Sequence, residues 1–235
     1  MTNNASENIR GFNTVESLKN VVKAIQEKNP AFDIIIVSGD ISQTCTEESY
    51  ALFVSILKPL GKPVYCIPGN HDDASLLQRF FPDTPTDTIS VVEQNSSRII
   101  LVNTQLKHQQ YGFISSDNLK RIIDTLESSN KIHLLALHHP PLSIGSQWMD
   151  DIGLKNGAEL LKYVEGFENL KLILYGHVHQ EIKTNHRHIQ IFATPSTCYQ
   201  FLPESENTVY DDRAPGYRLV KINDNGTIES AVYRI

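Results

Sequence analysis

Asp40, Asn70, His71, His138, His139, His177 and His179 stand at the ends of four short apolar runs, in the segments VSGD, IPGNHD, LALHHPP and LYGHVH. Carboxylate, carboxamide and imidazole are the oxygen and nitrogen donors that bind hard and borderline divalent metals. Taken singly, each residue has a plain structural reading. Asp40 could cap the turn into the next helix, Asn70 could hold a left-handed turn after Gly69, and a lone buried histidine is more often hydrogen-bonded core than ligand. Taken together they point to chemistry, because the carboxyl ends of neighbouring strands in an open α/β sheet converge on one crevice. In G-H-x-H, two residues apart on a strand face the same side, so His177 and His179 both aim into that crevice if the strand runs on through them. They could then serve two metals about 3.5–4 Å apart. A donor set without thiolate suits Fe, Mn, Zn or Co at a reactive centre rather than a structural zinc.

Elements of α/β type must bring these strand ends together. Asn13 and Glu16 have capping-box spacing, and Val15, Leu18, Val21, Val22 and Ile25 form one helical stripe, which predicts a helix that stops before Pro30. The run DIIIVSGD, Asp33 to Asp40, reads as a strand buried on both faces, followed by a helix in TEESYALFVSILKPL and a strand in PVYCIPG. That strand, helix, strand unit is a parallel crossover. Further strands are expected at DTISVV, SRIILVNT, IHLLALHH and LKLILYG, with helices at SDNLKRIIDTLES and GAELLKYVEGF. The tail is β-rich, and the turn residues NDNG join GYRLVKI to TIESAVYRI as a hairpin.

The 235 residues fit one domain, and the balance of 21 Lys plus Arg against 27 Asp plus Glu, a net charge of -6, would repel a nucleic-acid backbone. Polymeric nucleic acid is therefore not an expected partner. The three cysteines, Cys45, Cys66 and Cys198, have no C-x-x-C spacing, which fits a reducing, cytoplasmic setting. No stretch approaches the roughly 18 apolar residues of a membrane span, so no membrane partner is expected.

The ordered set G-D, G-N-H-D, H-H-P-P and G-H-x-H resembles the calcineurin-like metallophosphoesterase superfamily. Within it, GFNTVES, HHPPL, GHVHQE, ATPSTCYQF and APGYR are similar to the bacterial class III 3',5'-cyclic AMP phosphodiesterases. The resemblance runs over essentially the whole chain. It implies a four-layer αββα sandwich of two mixed β-sheets flanked by helices, and a dinuclear phosphodiesterase that binds two divalent ions. Fe or Mn is implied first, with Zn or Co as alternatives. Asp40 would bridge both ions, Asn70, His138 and His177 would complete one, and His179 would sit on the other. His71 would contact the phosphate and help the leaving oxygen depart, while Asp40, Asn70 and His179 would also face the substrate. The implied reaction is in-line attack of a metal-bridging hydroxide on cyclic AMP or a related small phosphodiester, giving 5'-AMP from cyclic AMP.

The superfamily opens with D-x-H on its first strand, and this sequence contains no D-x-H. By the resemblance, Met1 falls just after the expected histidine and Met1 to Ile9 is a polar connecting loop. The expectation is a single domain over residues 1–235 that lacks its first strand, with translation beginning upstream of Met1 or with a genuine N-terminal deletion. One ion would keep four ligands and the other only Asp40 and His179. Two functions from different classes follow: a metal-dependent cyclic-nucleotide phosphodiesterase, or a catalytically impaired one-metal module that binds a nucleotide or regulates. Retention of His71, Asn70 and both histidines of G-H-V-H favours the enzyme. Trp148 in SIGSQWMDDIG could line the mouth of the crevice, and Asn103 and Thr104 could support it or form a turn.

Overall fold

A computed structural model describes residues 1–4 and 6–235. In chain order the elements are α1 (Thr14–Lys28), β1 (Ile35–Val37), α2 (Glu47–Leu57), β2 (Val64–Cys66), α3 (Ala74–Phe80), β3 (Ser90–Glu93) and β4 (Ser97–Leu101). They continue with α4 (Ser116–Glu127), β5 (Ile132–Leu137), α5 (Gln147–Asp150), α6 (Gly157–Val164), β6 (Leu170–Tyr175), β7 (Ile182–His186) and β8 (Ile189–Ala193). The short pair β9 (Gln200–Phe201) and β10 (Tyr210–Asp211) precedes the hairpin of β11 (Gly216–Ile222) and β12 (Ile228–Arg234).

Strands β3 to β8 form a six-stranded mixed sheet in the order β3-β4-β5-β6-β8-β7, parallel from β4 to β8 and antiparallel at both edges. Its central strands are apolar on both faces because both faces are covered. On one side Leu135, Leu137, Ile173 and Ile191 pack with Ile122 and Leu160 of α4 and α6. On the other, Leu134, Ala136, Leu172 and Phe192 meet β1, β2, β11 and β12 through Ile36, Tyr65, Val220 and Ile228. A third cluster joins α1, α2 and α3 through Leu18, Val22, Tyr50, Phe53, Leu57 and Leu77. The outcome is helices, sheet, paired strands, helices, an αββα order in which the second strand layer consists of the parallel pair β1-β2 and the hairpin β11-β12.

Several expectations need correction. The run from Asp33 to Asp40 pairs only over Ile35–Val37, and those residues are half-buried rather than buried on both faces. Beside them lies a cavity of about 990 Å³, lined by Leu18, Val22, Ile36, Leu134, Leu174 and Leu219 among others. One edge of β1 faces this space instead of a neighbouring strand, which explains the partial burial. Of the loop expected over Met1 to Ile9, residue 5 lies outside the described residues. Elsewhere Met1 and Thr2 are buried rather than shapeless; the Met1 amino group donates to the Ile41 carbonyl at 2.6 Å and its side chain joins the α1–α3 cluster. The polar stretch around Trp148 contains the single helical turn α5.

Candidate metal centre

Four of the loops that follow β1, β2, β5 and β6 meet at one point, and their glycines let them do so. A Cβ on Gly39 would strike the His138 ring and Gly69, one on Gly69 would strike the Asp40 carboxylate and backbone, and one on Gly176 would strike the Ser38 carbonyl. Backbone packs against backbone and ligand here, which only glycine permits.

His138 supplies the centre of the arrangement. Its Nδ1 donates to the Ser38 carbonyl at 2.6 Å, which turns Nε2 toward the crevice. Around that Nε2 stand Asp40 Oδ2 at 3.3 Å, Asn70 Oδ1 at 3.3 Å and His177 Nδ1 at 3.1 Å. All four atoms can offer lone pairs, and too few protons lie between them to satisfy the set. A divalent cation answers that geometry: bonds of about 2.1 Å place adjacent ligands about 3.0–3.4 Å apart in tetrahedral or octahedral arrangements. The Nε2 of His177 is buried without a hydrogen-bond partner among the described residues. The donor set therefore fits a metal.

The electrostatics point the same way. Burial opposes ionisation of Asp40, but His138 beside it, together with the other histidines around the crevice, holds the carboxyl well below the usual range. Burial lowers the His138 pKa, but Asp40 and the Ser38 carbonyl together bring it above its ordinary value. A bound cation would displace the proton that this pair holds. His177 is kept neutral, first by burial and then by its histidine neighbours. His179, pushed down to about 4 chiefly by burial, is neutral as well.

The histidines of G-H-x-H reach the crevice by a route other than the expected one. Strand β6 ends at Tyr175, and His177 and His179 sit in a turn with φ of 62° and 50°. Asp40 also has a positive φ, 55°. Left-handed backbone is uncommon for residues other than glycine and clusters at functional sites, where surrounding contacts hold it in place. His177 joins the four-atom cluster. His179 does not: its Nδ1 donates to the Tyr199 carbonyl at 2.9 Å and its ring stacks on Phe201 with centroids 4.8 Å apart. Its Nε2 has no hydrogen-bond partner among the described residues. His71 is exposed at the rim of the same cavity; its backbone N–H donates to Asp40 Oδ1 at 3.0 Å and its Nδ1 lies 3.3 Å from the Gln43 amide.

His139 is close to His138 and His177, and the three have ligand atoms within 4.8 Å of one another. Both of its nitrogens are already engaged. Nε2–H donates to the Gln110 carbonyl at 3.1 Å, and Nδ1 accepts from the Thr104 hydroxyl at 2.7 Å. It braces the site from behind, and Thr104 acts through it. Asn103 holds the Thr86 carbonyl and the Gln105 N–H, a loop role.

Sequence reasoning missed Ser38, whose carbonyl orients His138, and Asp72, the last of G-N-H-D. Its buried carboxylate accepts N–H bonds from Ile41 at 3.1 Å, Ser42 at 2.9 Å and Gly69 at 2.9 Å, and the Tyr50 hydroxyl at 3.1 Å. It thus ties the Asp40 loop to the Asn70 loop. The available signal was an acidic residue inside a short glycine-bounded turn. Asp72→Ala strands those donors, each costing about 1–3 kcal/mol when buried and unpaired, so a loss of about 3 kcal/mol or more is expected in urea unfolding.

Comparison with known proteins adds to this geometry. The family sequence model for calcineurin-like phosphoesterase matches residues 11–181. The chain belongs to the calcineurin-like phosphoesterase family. Membership implies divalent metal ions. Among relatives of this phosphoesterase, the 3',5'-cyclic adenosine monophosphate phosphodiesterase CpdA of Haemophilus influenzae is 35% identical over 232 residues, 98% of this chain and 85% of that protein. CpdA of Escherichia coli is 33% identical, with 97% and 84% covered. A 3',5'-cyclic-nucleotide phosphodiesterase of Nostoc is 32% identical, with 98% and 87% covered. A dimetal phosphatase from Danio rerio shares the fold with a TM-score of 0.64 at 13% identity, 94% of this chain aligning with 88% of that one. Among the described residues, no helix of the phosphoesterase is long and apolar enough to cross a membrane.

Proposed function

We propose that the chain is a metal-dependent phosphodiesterase that hydrolyses 3',5'-cyclic AMP to 5'-AMP. The observation that carries this is the convergence of Asp40, Asn70 and His177 on the Nε2 of His138 at 3.1–3.3 Å, in a relative of cyclic AMP phosphodiesterases. These four residues would hold one ion. Asp40 and the free Nε2 of His179 would hold a second, with Fe or Mn favoured over Zn or Co. The ions would supply Lewis-acid polarisation of the phosphate and an activated water.

The chain's own groups do the rest. His138 is oriented by the Ser38 carbonyl, and His179 by the carbonyl of Tyr199, so their rings are set before substrate arrives. Asp72 fixes the Asp40 and Asn70 loops relative to each other. His71, on the exposed rim with its Nδ1 against the Gln43 amide, would meet the leaving oxygen and give it a hydrogen bond as the P–O bond breaks. Because His179 stands apart from the four atoms gathered at His138, one further reading is a module that holds a single metal and turns over slowly.

Both readings are separated by loading metal-free protein with Mn or Fe, counting the ions per chain and following cyclic AMP by chromatography. Cleavage to 5'-AMP with added ions supports the enzyme. A single bound ion with no cleavage above background supports the module.

A further inference from the structure

Beside the metal centre stands a group of aromatic rings that the hydrolytic chemistry leaves unused. Tyr199 and Phe201, on and before β9, have ring centroids 4.9 Å and 4.8 Å from that of His179, and both line the cavity that contains Asp40, Asn70 and His71. Phe12 and Tyr210 brace Tyr199 at 5.1 Å and 5.3 Å, and Trp148 meets Phe201 edge-on at 5.0 Å. The Tyr199 hydroxyl makes no hydrogen bond to another described residue.

Plain packing of the β9-β10 hairpin would bury such a group. Phe201 is buried in this way, 8% exposed and stacked on both His179 and Tyr210, but Tyr199 is only half-buried and lines the cavity beside His179. An apolar, ring-rich surface rimming a polar site marks a ligand contact. We infer that Tyr199, backed by the buried ring of Phe201, forms the shelf on which the purine base of the substrate stacks, an inference that rests on the cyclic-nucleotide reading above. A cyclic nucleotide has two recognisable ends. Its anionic ester suits the cation site at Asp40 and His138, and its flat base needs a π-face at a short remove, which Tyr199 beside His179 presents. Stacking on aromatic rings is tolerant of base identity, so the shelf sets affinity for purine nucleotides rather than strict choice among them.

The test uses Tyr199→Leu and Tyr199→Phe, both of which keep the backbone carbonyl that orients His179. Each variant is assayed with cyclic AMP and with a base-free methyl riboside 3',5'-cyclic phosphate under saturating Mn. In Tyr199→Leu the ratio of kcat/KM for cyclic AMP to that for the base-free diester is expected to fall about tenfold, through KM, and to stay within about twofold in Tyr199→Phe. An unchanged ratio in Tyr199→Leu overturns the shelf. Adenosine alone, titrated by NMR, separates this failure from that of the cleavage reading. Binding that weakens about tenfold in Tyr199→Leu supports the shelf even where neither diester is cleaved. Adenosine that does not bind, or binds both variants equally, overturns it.

Discussion

Asp40→Ala is expected to lower kcat/KM for a phosphodiester by at least about a thousandfold, equivalent to about 4 kcal/mol of transition-state stabilisation, while the protein remains folded. Asp40 contributes twice to the centre. Its Oδ2 is one of the four atoms gathered around His138, and its Oδ1 accepts the N–H of His71 and so holds the G-N-H turn in place. Removing the carboxylate takes away the anionic ligand and leaves only neutral donors, which hold a divalent cation far more weakly. The side chain is 19% exposed, and the backbone at φ 55° is borne by Gly39 and Gly69 on either side, so the fold does not depend on it. Steady-state kinetics with Mn, together with an unaltered far-ultraviolet spectrum, checks this. Retention of more than a tenth of the activity would contradict it.

Gly69→Ala should be nearly as damaging although it removes no functional group. The added methyl would land on the Asp40 carboxylate and on the Asp40 backbone nitrogen, and neither is the free end of a flexible side chain. Asp40 must move, and a misplacement of about 1 Å at a reacting centre costs about a hundredfold in rate. Gly166→Ala is the control, because a Cβ there meets nothing within 4 Å and its φ is ordinary. The contrast is read as kcat/KM and as Mn affinity for the two variants. Equal behaviour of the two would show that the loops around Asp40 are slack.

The parts of this arrangement that were legible in the sequence are those with long, strong patterns. The apolar runs ending at His138 and Gly176 could hardly be anything but central strands, and the donors at their ends stood out because polar groups are costly beside such runs. Helix α1 followed from Asn13, whose side chain accepts the Glu16 N–H at 2.8 Å. Short or polar elements were not legible. Helix α3 has seven residues, and β7 reads IKTNH, an edge strand with no apolar alternation to betray it. The burial of β1 was overestimated because three β-branched residues look the same whether one or both strand edges are covered.

Within the site, residue types pointed to the right segments but not to their backbone. Nothing in G-H-x-H announces that both histidines are left-handed, so the condition that the strand runs on through them is not met. Asp72 and Ser38 escaped notice for a different reason. They act through backbone amides and carbonyls, and such contacts are fixed by how loops pack rather than by spacing along the chain.

The central claim is that Asp40, Asn70, His138 and His177 hold a divalent cation. It is tested most directly by titrating Mn into metal-free protein and counting free ion by electron paramagnetic resonance, in parallel for His138→Ala. The account predicts at least one tight ion per wild-type chain and its loss in His138→Ala. Absence of tight binding to the wild type, or binding that survives His138→Ala unchanged, would contradict it.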